Sequence, residues 1–390
     1  MAASADTPLE PAPRPRVHQG TYDIAVIGGG LVGSAVAFGL RQQLQKIAVL
    51  DEGDLSFRAS RGNFGLIWVQ GKGMGMPAYG QWTLTSRNLW RTFADSLEAI
   101  SGCSTGLELQ GGLHPLLSEA EYTHRIQFMQ RLMAQPGMAD YRWEVLDHQT
   151  LRHLVPQIGP EVLGAIHSQV DGVANPLKLL RALHTAFQIQ QVDYLPHHAV
   201  SKITPTDHGF VIQTPHTQII TERIVLTAGL GNKALGESLG LSVPVRPQRG
   251  QVIVMERTQR VLNTPFTTLR QMDEGSWLIG DSQEEVGFTD RVTELPVLAT
   301  MADRAVRTLP MLRDVRVVRS WSALRVMSTD GFPVYDESPL YPGAFVATCH
   351  SGVTLAAAHA MELAPCLAQG TLPERFTPFS LRRFHAQPTA

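Results

Sequence analysis

The feature that most constrains the fold is the run of three glycines at 28–30, which lies between two apolar segments. The preceding segment, YDIAVI, has the alternating and β-branched residues typical of a strand. The apolar residues that recur at helical spacing after the glycines are Val32, Val36, Leu40 and Leu44. A second apolar segment, KIAVL, then ends at Asp51. Strand, glycine turn, helix, strand and acid in this order predict a dinucleotide-binding unit.

Each residue of the G-x-G-x-x-G pattern has a physical reason in such a unit. Gly28 permits the tight turn, Gly30 lets the backbone approach a pyrophosphate, and Gly33 lets the helix pack closely. Leu31 and Val32 begin the helix, so their amides lie at the positive end of its dipole, where phosphates bind. We therefore expect all five residues at the cofactor site.

The acid after the second strand completes the predicted site. Asp51 is placed to accept a hydrogen bond from a ribose hydroxyl, and Glu52 follows it. Two other interpretations are a membrane span over 24–40, which the glycines disfavour, and a glycine-rich turn that binds no ligand. The fingerprint alone does not distinguish NAD from FAD.

Composition excludes several classes of partner and compartment. The formal charge of -2 gives no field suited to nucleic acid or to an acidic membrane. The three cysteines are widely spaced and form no CxxC or CxxH motif. This pattern predicts no disulfide framework, no metal site and a cytoplasmic location. Residues 1–20 are rich in proline and alanine without an apolar signal core, so we expect a disordered tail there.

Three later segments carry a family resemblance. They are RASRGNFGLIWVQGKG at 58–73, SALRVMSTDGFPVYDE at 322–337 and ATCHSGVTLAAAHAMELA at 347–364. Together with the fingerprint they resemble the family of FAD enzymes that contains D-amino-acid oxidase, glycine oxidase and sarcosine oxidase. NFGLIWVQGKG and CHSGVTLA are most similar to the B subunits of opine oxidase, D-hydroxyproline dehydrogenase and hydrogen cyanide synthase.

The resemblance implies an α/β fold with two domains. A discontinuous Rossmann-like FAD-binding domain is expected over 21–90, 150–243 and 321–386. A second, α+β substrate-binding domain with an antiparallel sheet is expected over 91–149 and 244–320. Alternating segments such as RPQRGQVIVMER favour antiparallel strands in the second domain.

The resemblance also implies which residues contact FAD. Ser60 and Arg61 occupy the place where the family approaches the FAD phosphates, and Gly65 with Leu66 the backbone along the flavin edge. The other implied contacts are Asn63, Val200, Ala228, Gly229, Gly352, Val353 and Thr354. The last three begin the final long helix, whose free amides would stabilise negative charge on the reduced flavin.

The resemblance further implies that FAD is bound without a covalent link. Ala323 stands where sarcosine oxidases carry the cysteine that tethers the flavin. Asn63 stands where a histidyl link would need histidine.

Substrate binding is assigned to two residues. Arg325 corresponds to the family arginine that clamps an amino-acid carboxylate, although the flanking residues differ from the family pattern. Its structural alternative is an ion pair with Asp330 or Asp336. His350 either steers the substrate amine or holds its loop. The other polar candidates near the site are Gln70, Lys72 and Gln251.

The expected reaction is FAD-dependent oxidative deamination or dehydrogenation of an amino acid or secondary amine, such as an opine, sarcosine, glycine or hydroxyproline. The hydride passes from the α-carbon to flavin N5. The implied partners are a second flavoprotein subunit and a small iron–sulfur protein, through which the chain could associate peripherally with a membrane; the chain has no apparent transmembrane segment. Alternatives are an oxidase that produces hydrogen peroxide, an electron-relay flavoprotein subunit and a nicotinamide-dependent dehydrogenase, which the final helix argues against.

Overall fold

The computed structural model describes residues 20–53, 58–138, 141–280, 282–290 and 292–385. The tail expected at 1–20 therefore lies outside the described residues, except for its last glycine. The strands are β1 Thr21–Ile27, β2 Ile47–Leu50, β3 Leu66–Ile67, β4 Gly112–Leu116, β5 Glu144–Asp147, β6 Gly164–Ser168, β7 Gly172–Val173, β8 Asp193–Leu195, β9 Lys202–Thr206, β10 Gly209–Gln213, β11 Gln218–Leu226, β12 Val245–Arg257, β13 Leu269–Gln271, β14 Ser276–Gly280, β15 Glu284–Glu285, β16 Val317–Ser328, β17 Val334–Glu337 and β18 Ala344–Thr348.

The α-helices are α1 Leu31–Leu40, α2 Pro77–Ser101, α3 Glu119–Met133, α4 His148–Leu154, α5 Pro176–Gln190, α6 Asn232–Glu237, α7 Leu295–Thr308, α8 Ala356–Ala358 and α9 Ala364–Gln369. A π-helical segment, His359–Leu363, joins the last two. Short 3₁₀ turns cover Gly229–Gly231, Pro310–Asp314, Glu374–Phe379 and Leu381–Phe384. Among the helices of the described ranges, none combines the length and the apolar character that a membrane crossing requires.

The largest sheet has eight strands and a parallel centre. Strands β18, β11, β1, β2 and β8 run parallel in that order, and β17 adds antiparallel to β18. The hairpin of β9 and β10 pairs with the first half of β11. The parallel order brings the carboxyl ends of β1, β2 and β11 to one edge, where ligands bind in such sheets.

Strand β1 is buried on both faces of this sheet. Ile24 and Val26 pack in the same apolar cluster as residues of α1 and α5. Ala25 and Ile27 pack in a second cluster that includes residues of β9 and β10. A strand covered on both faces needs apolar residues at successive positions, which accounts for the uninterrupted run IAVI.

Helix α1 is shorter than the sequence predicts. It ends at Leu40, so the expectation that Leu44 continues the helical pattern is wrong. The amides of Gln45 and Lys46 donate to Asp23 Oδ2 at 2.9 and 3.0 Å, which ties the turn to β1. This turn returns the chain to the sheet so that β2 can pair parallel with β1.

The remaining sheets are antiparallel, as expected for a substrate domain. Strands β13, β14, β12 and β15 form one sheet, with β16 along β12, and β4, β6 and β5 form another. The two sheets and α7 share one apolar cluster, in which Trp277 and Phe266 are fully buried. The α/β fold with parallel and antiparallel sheets is thus confirmed. Phe93, Ala94 and Leu97 of α2, which were expected in the substrate-binding domain, pack in the apolar cluster that contains residues of α1. The boundaries of the two domains stay a prediction.

The final helix begins later than its sequence pattern suggests. Residues 352–355 form a turn, and the first α-helical residue is Ala356. The π-helical segment lies just before Pro365, which has no amide hydrogen to continue the regular ladder. Leu355, Leu363 and Leu367 are buried, as their spacing predicts.

Candidate functional site

A cavity of about 940 Å³ lies against the glycine loop that follows β1, and strands β12 and β16 also contribute to its wall. The predicted site residues that line it are Gly28, Gly30, Leu31, Val32, Asp51, Glu52, Ser60, Arg61, Asn63, Leu66, Val200, Ala228, Gly229, Arg325, His350, Gly352, Val353 and Thr354. Chain segments more than 300 residues apart in sequence therefore meet at one site.

Gly33 does not line this cavity, and its contribution is to packing. A methyl group added at Gly33 would lie 1.9 Å from the carbonyl oxygen of Gly28. Gly28 itself has a φ of +114°, which side chains strongly disfavour. The Thr227 hydroxyl donates to the carbonyls of Ile27 and Gly28, both at 3.0 Å, and so fixes the loop from β11.

Two side chains hold the loop and the start of α1 from outside. The Leu31 amide donates to Ser60 Oγ at 2.9 Å, so Ser60 caps one of the first helical amides. Asp51 Oδ2 accepts the Gly29 amide at 2.7 Å, and its Oδ1 accepts the Gly53 amide at 2.9 Å. Asp51 thus positions the glycine loop as well as lining the cavity.

Glu52 and Arg58 form an ion pair beside the glycine loop. Arg58 and Arg61 both line the cavity. These two guanidinium groups supply positive charge on the same loop as Ser60, where the phosphates of a dinucleotide are expected.

Pattern reasoning missed a histidine that braces the glycine loop. His184 on α5 places Nε2 3.2 Å from the Gly29 carbonyl oxygen and 3.2 Å from Ser34 Oγ. Its ring stacks on Tyr194, with centroids 4.5 Å apart. Both rings line the cavity. No local motif marks them, because they reach the loop only through the packing of α5 and β8.

Gly65 does not line the cavity, and its implied contact with the flavin edge stays a prediction. Its amide donates to Asn63 Oδ1 at 2.7 Å. Its carbonyl accepts the Ala174 amide at 2.9 Å and Arg270 Nη1 at 3.2 Å. Both backbone groups of Gly65 are thus bonded within the protein, and the neighbouring Asn63 and Leu66 line the cavity.

The remaining part of the implied nucleotide site is built from turns that follow β8 and β11. Val200 lines the cavity after β8. The Ala228 amide donates to Asn232 Oδ1 at 2.7 Å, so it is already satisfied within the protein. Gly229 has a φ of +60°. A methyl group added there would lie 3.2 Å from the Val326 side chain.

The turn before the final helix is held rigidly against the 66–68 segment. Thr354 Oγ1 donates to the Leu66 carbonyl at 3.0 Å and accepts the Trp68 amide at 3.2 Å. The Thr354 carbonyl accepts Ser86 Oγ at 2.7 Å and Trp90 Nε1 at 3.0 Å. Thr354 is therefore a structural bridge between the turn and two other segments, in addition to lining the cavity.

Arg325 lies on β16 with its guanidinium over Gly250 of the neighbouring strand. Nη1 donates to the Ser282 carbonyl at 2.7 Å. A methyl group added at Gly250 would lie 2.7 Å from Nη2, so glycine leaves room for the guanidinium plane. The two carboxylates considered as structural partners are engaged elsewhere: Asp330 pairs with Arg383 at 2.7 Å, and Asp336 accepts the Ser380 hydroxyl at 2.7 Å.

His350 belongs to a hydrogen-bonded row at the cavity wall. Its Nε2 lies 2.9 Å from Lys72 Nζ and 3.1 Å from Ser351 Oγ, which in turn lies 2.7 Å from the Tyr79 hydroxyl. Burial, followed by the charges of Lys72 and Arg325, lowers the pKa of His350 well below its usual value. A neutral imidazole can accept a hydrogen bond from the Lys72 ammonium, which can only donate.

The residues present fit a bound flavin dinucleotide. Methyl groups added at Gly29 and Gly30 would lie 2.8 Å from the Tyr194 ring and from Ser60 Oγ, both of which line the cavity, so the glycine loop leaves room there that side chains would take. Trp68 Nε1 is a buried donor at the cavity wall and has no partner within the described residues. A ligand acceptor there would satisfy it.

Comparison with known proteins decides the family. Residues 23–365 match the FAD dependent oxidoreductase (DAO) family. The chain belongs to this family. It is 45% identical to the B subunit of opine oxidase from Agrobacterium tumefaciens (strain Ach5) over 94% of the chain and 98% of that protein. It is 42% identical to the B subunit of opine oxidase from Rhizobium meliloti, with the same two coverages.

The fold of the oxidoreductase agrees with solved structures. The crystal structure of glycine oxidase from Geobacillus kaustophilus superposes with a TM-score of 0.85 at 24% identity, over 93% of this chain and 98% of that chain. The family, the fold class and FAD as cofactor, all expected from the sequence, are thereby confirmed. The roles of individual residues stay predictions.

The cysteine beside the oxidoreductase's candidate flavin site has an unreactive environment. Burial raises the pKa of the Cys349 thiol to about 12. Such a thiol is protonated at neutral pH and is a poor nucleophile. Ala323 and Asn63 also line the cavity and offer no side chain for a flavin bond.

Proposed function

We propose that this oxidoreductase oxidises the CH–NH bond of an amino acid with a secondary amine, such as an opine. The observation that carries the proposal is the presence of Arg325 in the same cavity as the dinucleotide-binding loop. A guanidinium fork matches a carboxylate in two parallel hydrogen bonds. The two relatives that are named as opine oxidase subunits support this substrate class.

In this proposal FAD, when bound, supplies the acceptor for the hydride from the carbon beside the nitrogen. Arg325 holds the substrate carboxylate and so fixes the orientation of that C–H bond. His350, kept neutral, accepts a hydrogen bond from Lys72 at the cavity wall and adds no imidazolium charge beside the substrate amine. Loss of the hydride converts the neutral amine to a protonated imine, which water hydrolyses to a carbonyl compound and an ammonium product that keeps the proton. No catalytic base is required if the amine binds neutral.

Electrons are proposed to leave through partner subunits. The two relatives are named as subunits of an oxidase, which supports a hetero-oligomer. We expect a second flavoprotein subunit and a small iron–sulfur protein. This chain has three cysteines, fewer than the four that a cluster needs. Cytoplasmic location is part of the proposal, supported by the free thiols of all three cysteines.

Anaerobic mixing of the yellow protein with a panel of N-alkyl and cyclic amino acids tests the proposal. We expect the flavin absorbance to bleach with secondary amines that carry a carboxylate. An electron-relay subunit would not bleach with any of them. Comparing peroxide release in air with the reduction of an artificial dye distinguishes a dehydrogenase from an oxidase, since an oxidase releases stoichiometric peroxide. Acid precipitation should release the chromophore, because non-covalent FAD is expected.

A further inference from the structure

A second guanidinium, that of Arg125 on α3, lines the same cavity as Arg325. Its Nη2 donates to Gln70 Oε1 at 3.2 Å, and its Cζ lies 5.1 Å from the centroid of the Phe128 ring. Its Nε is buried and has no hydrogen-bond partner. Within the part of the chain that the structure describes, no carboxylate lies within ion-pair distance of Arg125.

The position of Arg125 is fixed by a chain of hydrogen bonds. Gln70 is 3% exposed, and its Nε2 donates to Asp171 Oδ2 at 3.2 Å, which turns its Oε1 towards the guanidinium. Asp171 also accepts the Val69 amide at 2.7 Å. The carboxyl group of Asp171 therefore accepts hydrogen bonds from the 69–70 backbone, and within the described residues its hydrogen-bonded link to Arg125 runs through Gln70.

Arg125 is partly buried, with its Nε fully buried, and this burial of a charged group favours a counter-charge. Burial lowers the pKa of Arg125, and its interactions with Tyr141 and Asp171 only partly oppose the effect. Guanidinium groups remain protonated in proteins, so the charge is retained. A buried charge without a paired anion is strongly unfavourable, and structures normally supply one. At a cavity wall, a bound ligand can supply it.

The surroundings of Arg125 select for an anion. His114 lines the cavity nearby, and burial together with the Arg125 charge lowers its pKa to about 3, so it adds no positive charge and can hydrogen-bond. Among the described lining residues, the acids are Asp51 and Glu52, which belong to the nucleotide site. The lining cations besides Arg125 are Lys72 and Arg325, together with Arg58 and Arg61 beside the glycine loop.

We propose that Arg125, oriented by Gln70, binds a second carboxylate of the substrate. Arg125 is then a specificity residue for N-(carboxyalkyl) amino acids, the chemical class to which opines belong, in which a secondary nitrogen lies between two carboxylates. Arg325 binds one carboxylate and Arg125 the other. The nitrogen and the C–H bond of the carbon beside it are then held between the two bound carboxylates. This inference rests on the proposed function, which already assigns one carboxylate to Arg325.

Binding of two unreactive analogues to the FAD-loaded protein tests the inference without turnover. Oxydiacetate carries two carboxylates around an ether oxygen, and methoxyacetate carries one. Dissociation constants are measured from the perturbation of the flavin spectrum. For the wild type we expect oxydiacetate to bind about 10- to 100-fold more tightly, the range for a hydrogen bond to a charged group. In Arg125→Gln the two analogues should bind alike.

Two further variants serve as controls. Arg125→Lys keeps the charge without the fork and should retain part of the preference. Arg131→Gln removes an exposed arginine from the same helix and should leave the ratio unchanged. Flavin content and thermal unfolding of each variant establish that the fold is intact; if Arg125→Gln does not fold, the wild-type ratio and Arg125→Lys decide.

The outcomes distinguish this inference from the function on which it rests. An equal affinity of the wild type for both analogues, or an unchanged ratio in Arg125→Gln, overturns the second carboxylate site. Bleaching of the flavin by N-methylalanine with equal efficiency to N-(carboxymethyl)alanine does the same while leaving amine oxidation intact. An Arg125-dependent preference for oxydiacetate without bleaching by any secondary amine supports the site and contradicts the proposed oxidation.

Discussion

At the scale of single residues, the glycine loop tolerates no added atoms where α1 crosses it. In Gly33→Ala the new methyl group would lie 1.9 Å from the Gly28 carbonyl oxygen, so the loop or the helix must move. We expect a loss of stability of about 1–3 kcal/mol, the usual cost of overpacking, and weaker retention of FAD. Thermal unfolding and the ratio of flavin to protein absorbance measure the two effects.

Gly287→Ala is the matched control for this prediction. No atom lies within 4 Å of the position that its methyl group would occupy. It should retain FAD and unfold at the wild-type temperature. Wild-type flavin content in Gly33→Ala would show that the loop can adjust freely, against the close packing described here.

Arg325 offers a second prediction at this scale, based on its planar fork. Lysine at 325 keeps the charge but makes one hydrogen bond where the guanidinium makes two. We expect kcat/KM for a carboxylate-bearing amine to fall about 10- to 100-fold in Arg325→Lys, mainly through KM. Arg319→Lys, at an exposed position of the same strand, should leave both constants unchanged. A similar loss in both variants would indicate general damage to β16.

At the scale of elements, the turn before the final helix provides backbone donors. Gly352→Pro removes one amide hydrogen from this turn. If that amide stabilises negative charge on the reduced cofactor, the midpoint potential should fall by about 30–60 mV, which corresponds to about 1.5–3 kcal/mol for a two-electron couple. Spectroelectrochemical titration of the FAD-loaded variant measures the shift.

Gly352→Ala keeps the amide and serves as the control. An added methyl group would lie 3.6 Å from Leu31 and Val32 side-chain atoms, which is ordinary contact distance. Its potential should match that of the wild type. Equal potentials in the proline and alanine variants would remove Gly352 from the electrostatic role implied by the family.

Elements also differ in how far their sequence predicts them. The fingerprint at 22–51 could be predicted because a turn, a helix start and two strands depend on neighbouring residues. The end of α1 at Leu40 could not, because it depends on Asp23 capturing the returning turn. The late start of the final helix likewise depends on Thr354, which is bonded to residues of β3 and α2.

At the scale of the whole molecule, the site depends on contacts that no sequence window contains. Arg125 and His184 reach the cavity from α3 and α5, and neither lies in a recognisable motif. Their approach is set by how helices pack on sheets formed from distant segments. The family resemblance identified the nucleotide loop and Arg325 because those residues carry a pattern, whereas packing partners carry none.

Buried histidines make the stability of the whole protein depend on pH. Burial lowers the pKa of His359, which is fully buried, to about 3. Between about pH 3 and 6.5 the unfolded chain binds a proton at this residue and the folded protein does not, so stability is lost as pH falls. Asp171, whose pKa burial raises to about 7, acts in the opposite direction. His114 and His350 act in the same direction as His359.

The contribution of His359 can be isolated by substitution. Lowering the pH from 7 to 5 should cost the wild type about 2 kcal/mol through this residue, from 1.36 kcal/mol per unit of pKa difference. In His359→Asn the difference between urea unfolding free energies at the two pH values should shrink by about that amount. The exposed His208, replaced by Asn, should leave the difference unchanged. An equal pH dependence in wild type and His359→Asn would mean that the imidazole gains its proton without unfolding, and that the interior around Tyr335 admits water.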